Sequence, residues 1–360
     1  MNNKKISNLE FSILATSPIL SLYSGIGLYN LIKRANIDAY IAIFISIIWS
    51  LLYLKVFLTI YNYEPNSSLP EKNIKLFGKN IGKIINIIIN TLILSICILP
   101  IYSISNFIVS QFLSETPIII ILILIFIVSL YNISKGIEVI SRTAIVLFII
   151  SLSLGIINII GLLPDFQFTN LKPILANGIT IPLKTSFLFL LTNIVPIVTV
   201  LIIPKNNIVN NNKTSKYIYI FFIISLIFIL LDTILTIGVL SEHLIKILPH
   251  PEYIVLKKIS IFGFIDRIEN IIYIKWILGV FVHFTLSIYY ICNSINKKDK
   301  QFFLPSIVII FILTLSKILF KNNTEFKWYI KNIYPYTNLV LLVIIILIFI
   351  LILIHNKKET

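Results

Sequence analysis

Charge is scarce in this chain of 360 residues: Asp, Glu, Lys and Arg make up only 12% of it, against roughly a quarter in a soluble domain. With 58% hydrophobic residues and a mean hydropathy of +0.97, that shortage excludes a water-facing surface. Also missing is any polar stretch long enough for a separate soluble domain, which leaves one membrane domain over residues 1–360. Cysteine is nearly absent too. Cys97 and Cys292 lie in apolar runs far apart in sequence, where each reads as a small buried apolar residue rather than half of a disulfide or metal site. The four His are scattered, no Cys or His pair has metal-ligand spacing, no Gly-rich loop is placed to cradle phosphate, and no nucleophile motif stands near a base. The sequence therefore predicts neither an enzyme nor a bound cofactor.

What is present is a repeated apolar run. About ten runs, near 9–33, 37–60, 84–109, 117–132, 142–163, 182–203, 217–240, 270–293, 303–320 and 336–355, each approach the roughly 20 residues that cross a bilayer as a helix. The fold class is all-α and polytopic. The first run has no small-residue cleavage site and reads as a retained span rather than a signal peptide. Ser7 and Glu10 have capping-box spacing at its entry. The net charge of +15 does not point to nucleic acid, because the 30 Lys and Arg sit in short connections. Of these, 17 fall on the connections that share the N-terminal side and 13 on the other, which predicts that both termini are cytoplasmic.

Two runs carry helix breakers at mid-depth. The first holds Pro18, Gly25 and Gly27 with Thr16, Ser17, Ser21 and Ser24; the sixth holds Thr192, Asn193 and Pro196. In lipid, such interruptions persist only where protein or a water-filled cavity satisfies the freed backbone groups. They fall at matching places in two five-span halves, about 1–165 and 175–360, and paired interrupted helices mark the ligand site of inverted-repeat transporters. Kinks that merely allow close packing are the plainer reading.

Several segments together resemble the B, or permease-like, subunit of bacterial spore germinant receptors, a branch of the amino acid/polyamine/organocation transporter superfamily. They are Lys5-Ile6-Ser7, Asp38-Ala39-Tyr40, Lys135-Gly136-Ile137-Glu138 with Arg142, Asn170-Leu171-Lys172-Pro173-Ile174-Leu175 with Gly178, and Phe264-Ile265-Asp266-Arg267-Ile268-Glu269 with Trp276. The resemblance implies a protein of the spore inner membrane, or of the bacterial cell membrane, that senses a small germinant, often an amino acid, beside an A subunit and a lipoprotein C subunit. It implies a pocket lined by spans one, three, six and eight. Carried onto this sequence, that pocket takes Gly25 and Gly27 as unwound backbone, Thr192 and Asn193 opposite, Tyr102 and Asn106 on span three, and Thr285 and Tyr289 on span eight. One departure stands out: relatives tend towards a Gly-Glu pair in the middle of span six, and Thr192 to Pro196 contains no acid. That leaves open an autonomous proton-coupled amino acid transporter and an assembly subunit with a vestigial pocket.

A few charges need a reading of their own. Asp232 lies deep in the seventh run, where an ionisable group is costly; it is either a hydrogen-bonded carboxyl joining helices or a proton or cation site. His283 is either a packed imidazole or a relay. Glu138 with Arg142, and Arg267 with Glu269, read as local ion pairs near an interface or as gate and subunit contacts.

Overall fold

The computed structural model describes residues 5–248, 251–259, 269–295 and 302–359, and among them it is helical, with no strand beyond a single bridge between Ile6 and Ile208. Span one is Asn8–Leu22, which runs on through Tyr23–Gly27 into Leu28–Ala35; span two is Ala39–Asn62, span three Lys79–Gln111, span four Ile118–Lys135 and span five Ile137–Leu162. Span six is Thr180–Ile202, span seven Thr214–Ile247, span eight Glu269–Ile295, span nine Phe303–Leu319 and span ten Tyr334–Glu359. Eight described stretches are long and apolar enough to cross a membrane, and Phe303–Leu319 is a shorter apolar helix. Asn8–Leu22 completes ten once its continuation into Leu28 is counted.

Local chemistry sets these boundaries. The expected capping box opens span one, with the Ser7 hydroxyl accepting from the Glu10 amide and the Glu10 carboxylate accepting from the Ser7 amide. Asn36 at φ 52° ends it. Spans four and five are joined by Gly136 alone, at φ 89° and ψ −179°, a conformation open essentially to glycine. Cys97 and Cys292 are both buried.

The bundle buries its interrupted helices. Nearly every residue of Asn8–Leu22 is buried, and 89% of the apolar window of span six is buried against 22% for span five. Outward-facing apolar side chains such as Phe44, Ile48, Ile127, Ile160 and Ile318 cover the rim, as a lipid-facing surface requires.

The connections sort to two ends. At one end the Ile6 amide donates to Asn207 O at 3.0 Å, the Asn206 amide to Pro65 O at 3.1 Å, and the rings of Tyr63 and His355 lie 6.1 Å apart. At the other the Leu175 amide donates to Asp38 Oδ1 at 2.9 Å, and Asn106 Nδ2 to Asn323 Oδ1 at 3.0 Å. Both ends of the chain therefore sit on one side, as an even number of spans demands.

Two amphipathic helices escape the hydropathy reading, Leu69–Phe77 and Asn323–Asn332. The first carries Lys72, 3% exposed, whose ammonium donates to the carbonyls of Ile60 and Tyr61 at 2.6 and 3.1 Å. It thus caps the last turn of span two. Burial pushes the Lys72 ammonium down to about 7; Glu64 opposes that shift, while Lys205 and Lys75 add to it. Between about pH 7 and the ordinary lysine value of 10.5, the unfolded chain holds a proton that the folded chain has released. Stability therefore rises with pH across that window, and below about 7 the cost of the buried charge is fully present. The expected rise is at most about 5 kcal/mol, read as melting temperature in detergent between pH 6 and 10. Lys72→Met flattens it; an equally steep rise in that variant would rule Lys72 out as its source.

Candidate functional site

Prolines in spans one and six remove backbone donors, and the structure shows where the freed carbonyls go. Pro18 offers no N–H to Leu14 O, and the Ser17 hydroxyl donates there at 3.1 Å. Pro196 likewise offers none to Thr192 O, and the Tyr334 hydroxyl of span ten donates there at 2.9 Å. A second tyrosine, Tyr53 of span two, donates to Val195 O at 3.1 Å. Neither tyrosine stands out in the sequence, where a lone Tyr in an apolar run carries no sign of its partner. Tyr334→Phe leaves a buried carbonyl short of a donor and is expected to cost about 1–3 kcal/mol in thermal unfolding; an unchanged melting temperature would mean that water replaces the hydroxyl.

The interruptions are one wide turn each rather than unwound backbone. Tyr23–Gly27 and Leu190–Ile194 are π-helical, and in both the closing bond spans five residues, from Leu28 N–H to Tyr23 O and from Val195 N–H to Leu190 O. Span six then tightens into a 3-10 helix over Val195–Ile202. A wide turn satisfies its own amides inside lipid, whereas unwound strands leave them bare.

The two wide turns pack against each other. Gly27 has ordinary helical dihedrals, so its glycine serves space, not backbone freedom: a Cβ there would lie 2.5 Å from Asn193 Oδ1 and 3.1 Å from Leu22 O. Asn193 is 1% exposed, donates from Nδ2 to Thr192 Oγ1 at 2.8 Å, and leaves Oδ1 without a donor. Gly27, Thr192 and Asn193 thus share one point, and Gly25 lies in the same turn.

The other expected pocket residues have partners elsewhere. Tyr102 packs at a tilt between Phe320 and Phe326, with ring centroids 4.8 and 5.0 Å away, and Asn106 bonds to Asn323; both belong to the packing of span three on Asn323–Asn332. Thr285 donates to Ser129 of span four at 3.3 Å, and Tyr289 is half-buried. Thr285 thus turns to span four, while Trp276 and Gly279 occupy the face toward span one. Trp276 Nε1 donates to Ser21 O at 3.2 Å, and a Cβ at Gly279 would lie 3.1 Å from Ser21 Cβ.

Charged residues divide in the same way. Arg142 and Glu138 form an i, i+4 pair at 2.7 Å, with side chains 68% and 30% exposed. Glu269 is buried at the start of span eight, and Arg267 lies outside the described residues. Asp232 is 5% exposed, accepts from Asn158 Nδ2 of span five at 2.8 Å, and faces the Lys275 ammonium of span eight at 3.6 Å. Lys275 falls inside the eighth apolar run of the sequence, and the structure places it inside span eight. His283 is fully buried, with neither ring nitrogen bonded. Among the described residues no group of three or more His, Cys, Asp or Glu could hold a metal ion.

These features define a polytopic α-helical membrane protein whose centre is a pair of interrupted helices in contact. Residues 5–326 match the family described as Spore germination protein, and the chain belongs to that family. It is similar to spore germination protein KB of Bacillus subtilis (strain 168), 28% identical over 263 residues that cover 71% of this chain and 69% of the relative. Spore germination protein XB of Bacillus anthracis is 22% identical over 308 residues, covering 84% and 85%. Spore germination protein A2 of Bacillus subtilis (strain 168) is 25% identical over 276 residues, covering 73% and 74%.

Proposed function

We propose that this chain is the permease-like B subunit of a spore germinant receptor, that it binds a small germinant such as an amino acid where spans one and six are interrupted, and that binding signals germination through partner subunits. The carrying observation is Asn193: a buried acceptor without a donor, held against Gly27 where two wide helical turns meet. A buried polar atom left open in this way is costly unless something donates to it, and a germinant N–H or O–H is suited to do so. Family membership supports the germination role, and the two interrupted spans support a transporter-like architecture of two five-span halves.

The partners are then an A subunit and a C lipoprotein subunit, in the spore inner membrane, with both termini cytoplasmic. Signalling requires the germinant to bind one arrangement of the spans better than another, since equal affinity shifts nothing. Amino acids, sugars and nucleosides are to be screened for thermal stabilisation of the purified chain, alone and with its partner subunits. The expected result is a saturable shift with one class, lost in Asn193→Ala. No shift with any compound in either preparation, or an identical shift in Asn193→Ala, would overturn the assignment.

A further inference from the structure

Besides the small cavity that Asp232 and Lys275 share between spans one, five, seven and eight, a longer groove of about 510 Å³ opens on the outside of the bundle where spans four, five and eight meet. Leu124 and Val128 of span four, Val139 and Leu147 of span five, and Ile277 and Phe281 of span eight give it apolar walls. Along span four it runs from Leu124 to Asn132, about 12 Å of helix. Its mean cross-section is therefore roughly 40 Å², half that of a helix 10 Å across. A fatty-acyl chain fits this width; a further span does not. The depth fits as well: from Lys135, the last residue of span four, down to Leu124 is about 16 Å, one leaflet of a hydrocarbon core roughly 30 Å thick.

The polar end of the groove names its occupant. Asn132 lines it one turn from the end of span four, at the level where hydrocarbon gives way to headgroup, and is 5% exposed with no donor to its Oδ1. A buried acceptor left open in this way is costly unless a ligand donates to it. Two cations stand at the same mouth. Lys135 lies one turn beyond Tyr131 and Asn132, its ammonium 5.2 Å from the Tyr131 ring centroid, and Arg142, 68% exposed, sits between the lining residues Val139 and Thr143. Glu138 pairs with Arg142, so the mouth keeps one net positive charge.

We propose that this groove binds one phospholipid with an anionic, hydroxyl-bearing headgroup. An acyl chain lies along spans four, five and eight, a headgroup hydroxyl donates to Asn132 Oδ1, and the phosphate faces Lys135 and Arg142. The lipid belongs to the leaflet on the side of the chain termini, where Gly136 joins spans four and five, and it staples that hairpin to span eight. This inference does not rest on the germinant assignment, and its test uses no germinant.

The test offers phosphatidylglycerol and phosphatidylcholine at equal concentration to the full chain in detergent and reads lipid retention by native mass spectrometry. Wild type retains one phosphatidylglycerol, about fivefold more tightly than phosphatidylcholine. Val128, 55% exposed toward lipid, can take a larger side chain without disturbing the core; Val128→Trp fills the groove and loses the bound lipid, whereas Ile160→Trp, on span five outside the groove, keeps it. Lys135→Gln/Arg142→Gln loses the preference between the two lipids, and Asn132→Leu weakens phosphatidylglycerol binding several-fold. A benzophenone side chain at Val128 crosslinks to phospholipid in native membranes. Equal retention of the two lipids by wild type, or unchanged retention in Val128→Trp, overturns the proposal. A crosslink from Val128 to a second copy of the chain or to another membrane protein in place of lipid overturns it as well.

Discussion

Gly27→Leu is expected to abolish the germination response of a complete receptor to every compound while the chain still accumulates in the membrane. A side chain at this position starts 2.5 Å from Asn193 Oδ1 and 3.1 Å from a backbone carbonyl, so the Asn193 amide must move, and Asn193 is 1% exposed with little room to do so. Overpacking of this kind costs about 1–3 kcal/mol. Gly27→Ala makes the cause separable. Its Cβ meets mainly the Asn193 amide, so adding Asn193→Ala restores space and most of the lost stability. It does not restore the response, because the acceptor is gone. A double variant that regains both stability and response would show that Asn193 only fills space.

Asp232→Ala is expected to destabilise the bundle by about 3–5 kcal/mol, the cost of leaving a buried ion without its partner. Lys275 has 14% of its side chain exposed and faces the Asp232 carboxylate at 3.6 Å, so it has no easy escape to water. Neutralising both residues, Asp232→Ala with Lys275→Met, returns most of the loss, since an ion pair in an apolar site gains little over well-packed neutral side chains. Denaturant or thermal unfolding of the four proteins in the cycle reads this directly. A single Asp232→Ala variant within about 1 kcal/mol of wild type would mean that the Lys275 ammonium reaches the headgroup region.

Composition and apolar run length gave the all-α membrane class and the number of spans, because a span in lipid must satisfy its backbone internally and be about 20 residues long. The capping box at Ser7 and Glu10 was legible because both partners are local. The breakers of spans one and six were legible as breakers, but their form was not: Pro18 and Pro196 announce missing donors, whereas the serine and tyrosine hydroxyls that compensate come partly from other helices. Tyr102 and Asn106, at helical spacing, share a face as expected, yet that face looks toward Phe320 and Asn323. Spacing fixes which residues lie together on a helix, not which neighbour they meet.

Asp232 shows the same division most sharply. Its depth in an apolar run marked it as a charge in need of a partner, but nothing in the sequence pointed to Lys275, in the eighth run, as that partner. By itself the sequence determined the membrane class, the span order, the central breakers and the cost of Asp232, all properties of single segments in an apolar solvent. Only the tertiary structure decided that Gly27 meets Asn193, that Tyr334 serves Thr192, and that Asp232 faces Lys275 across a cavity. Those pairings depend on how each helix is rotated, and rotation is set by close packing between segments far apart in the chain.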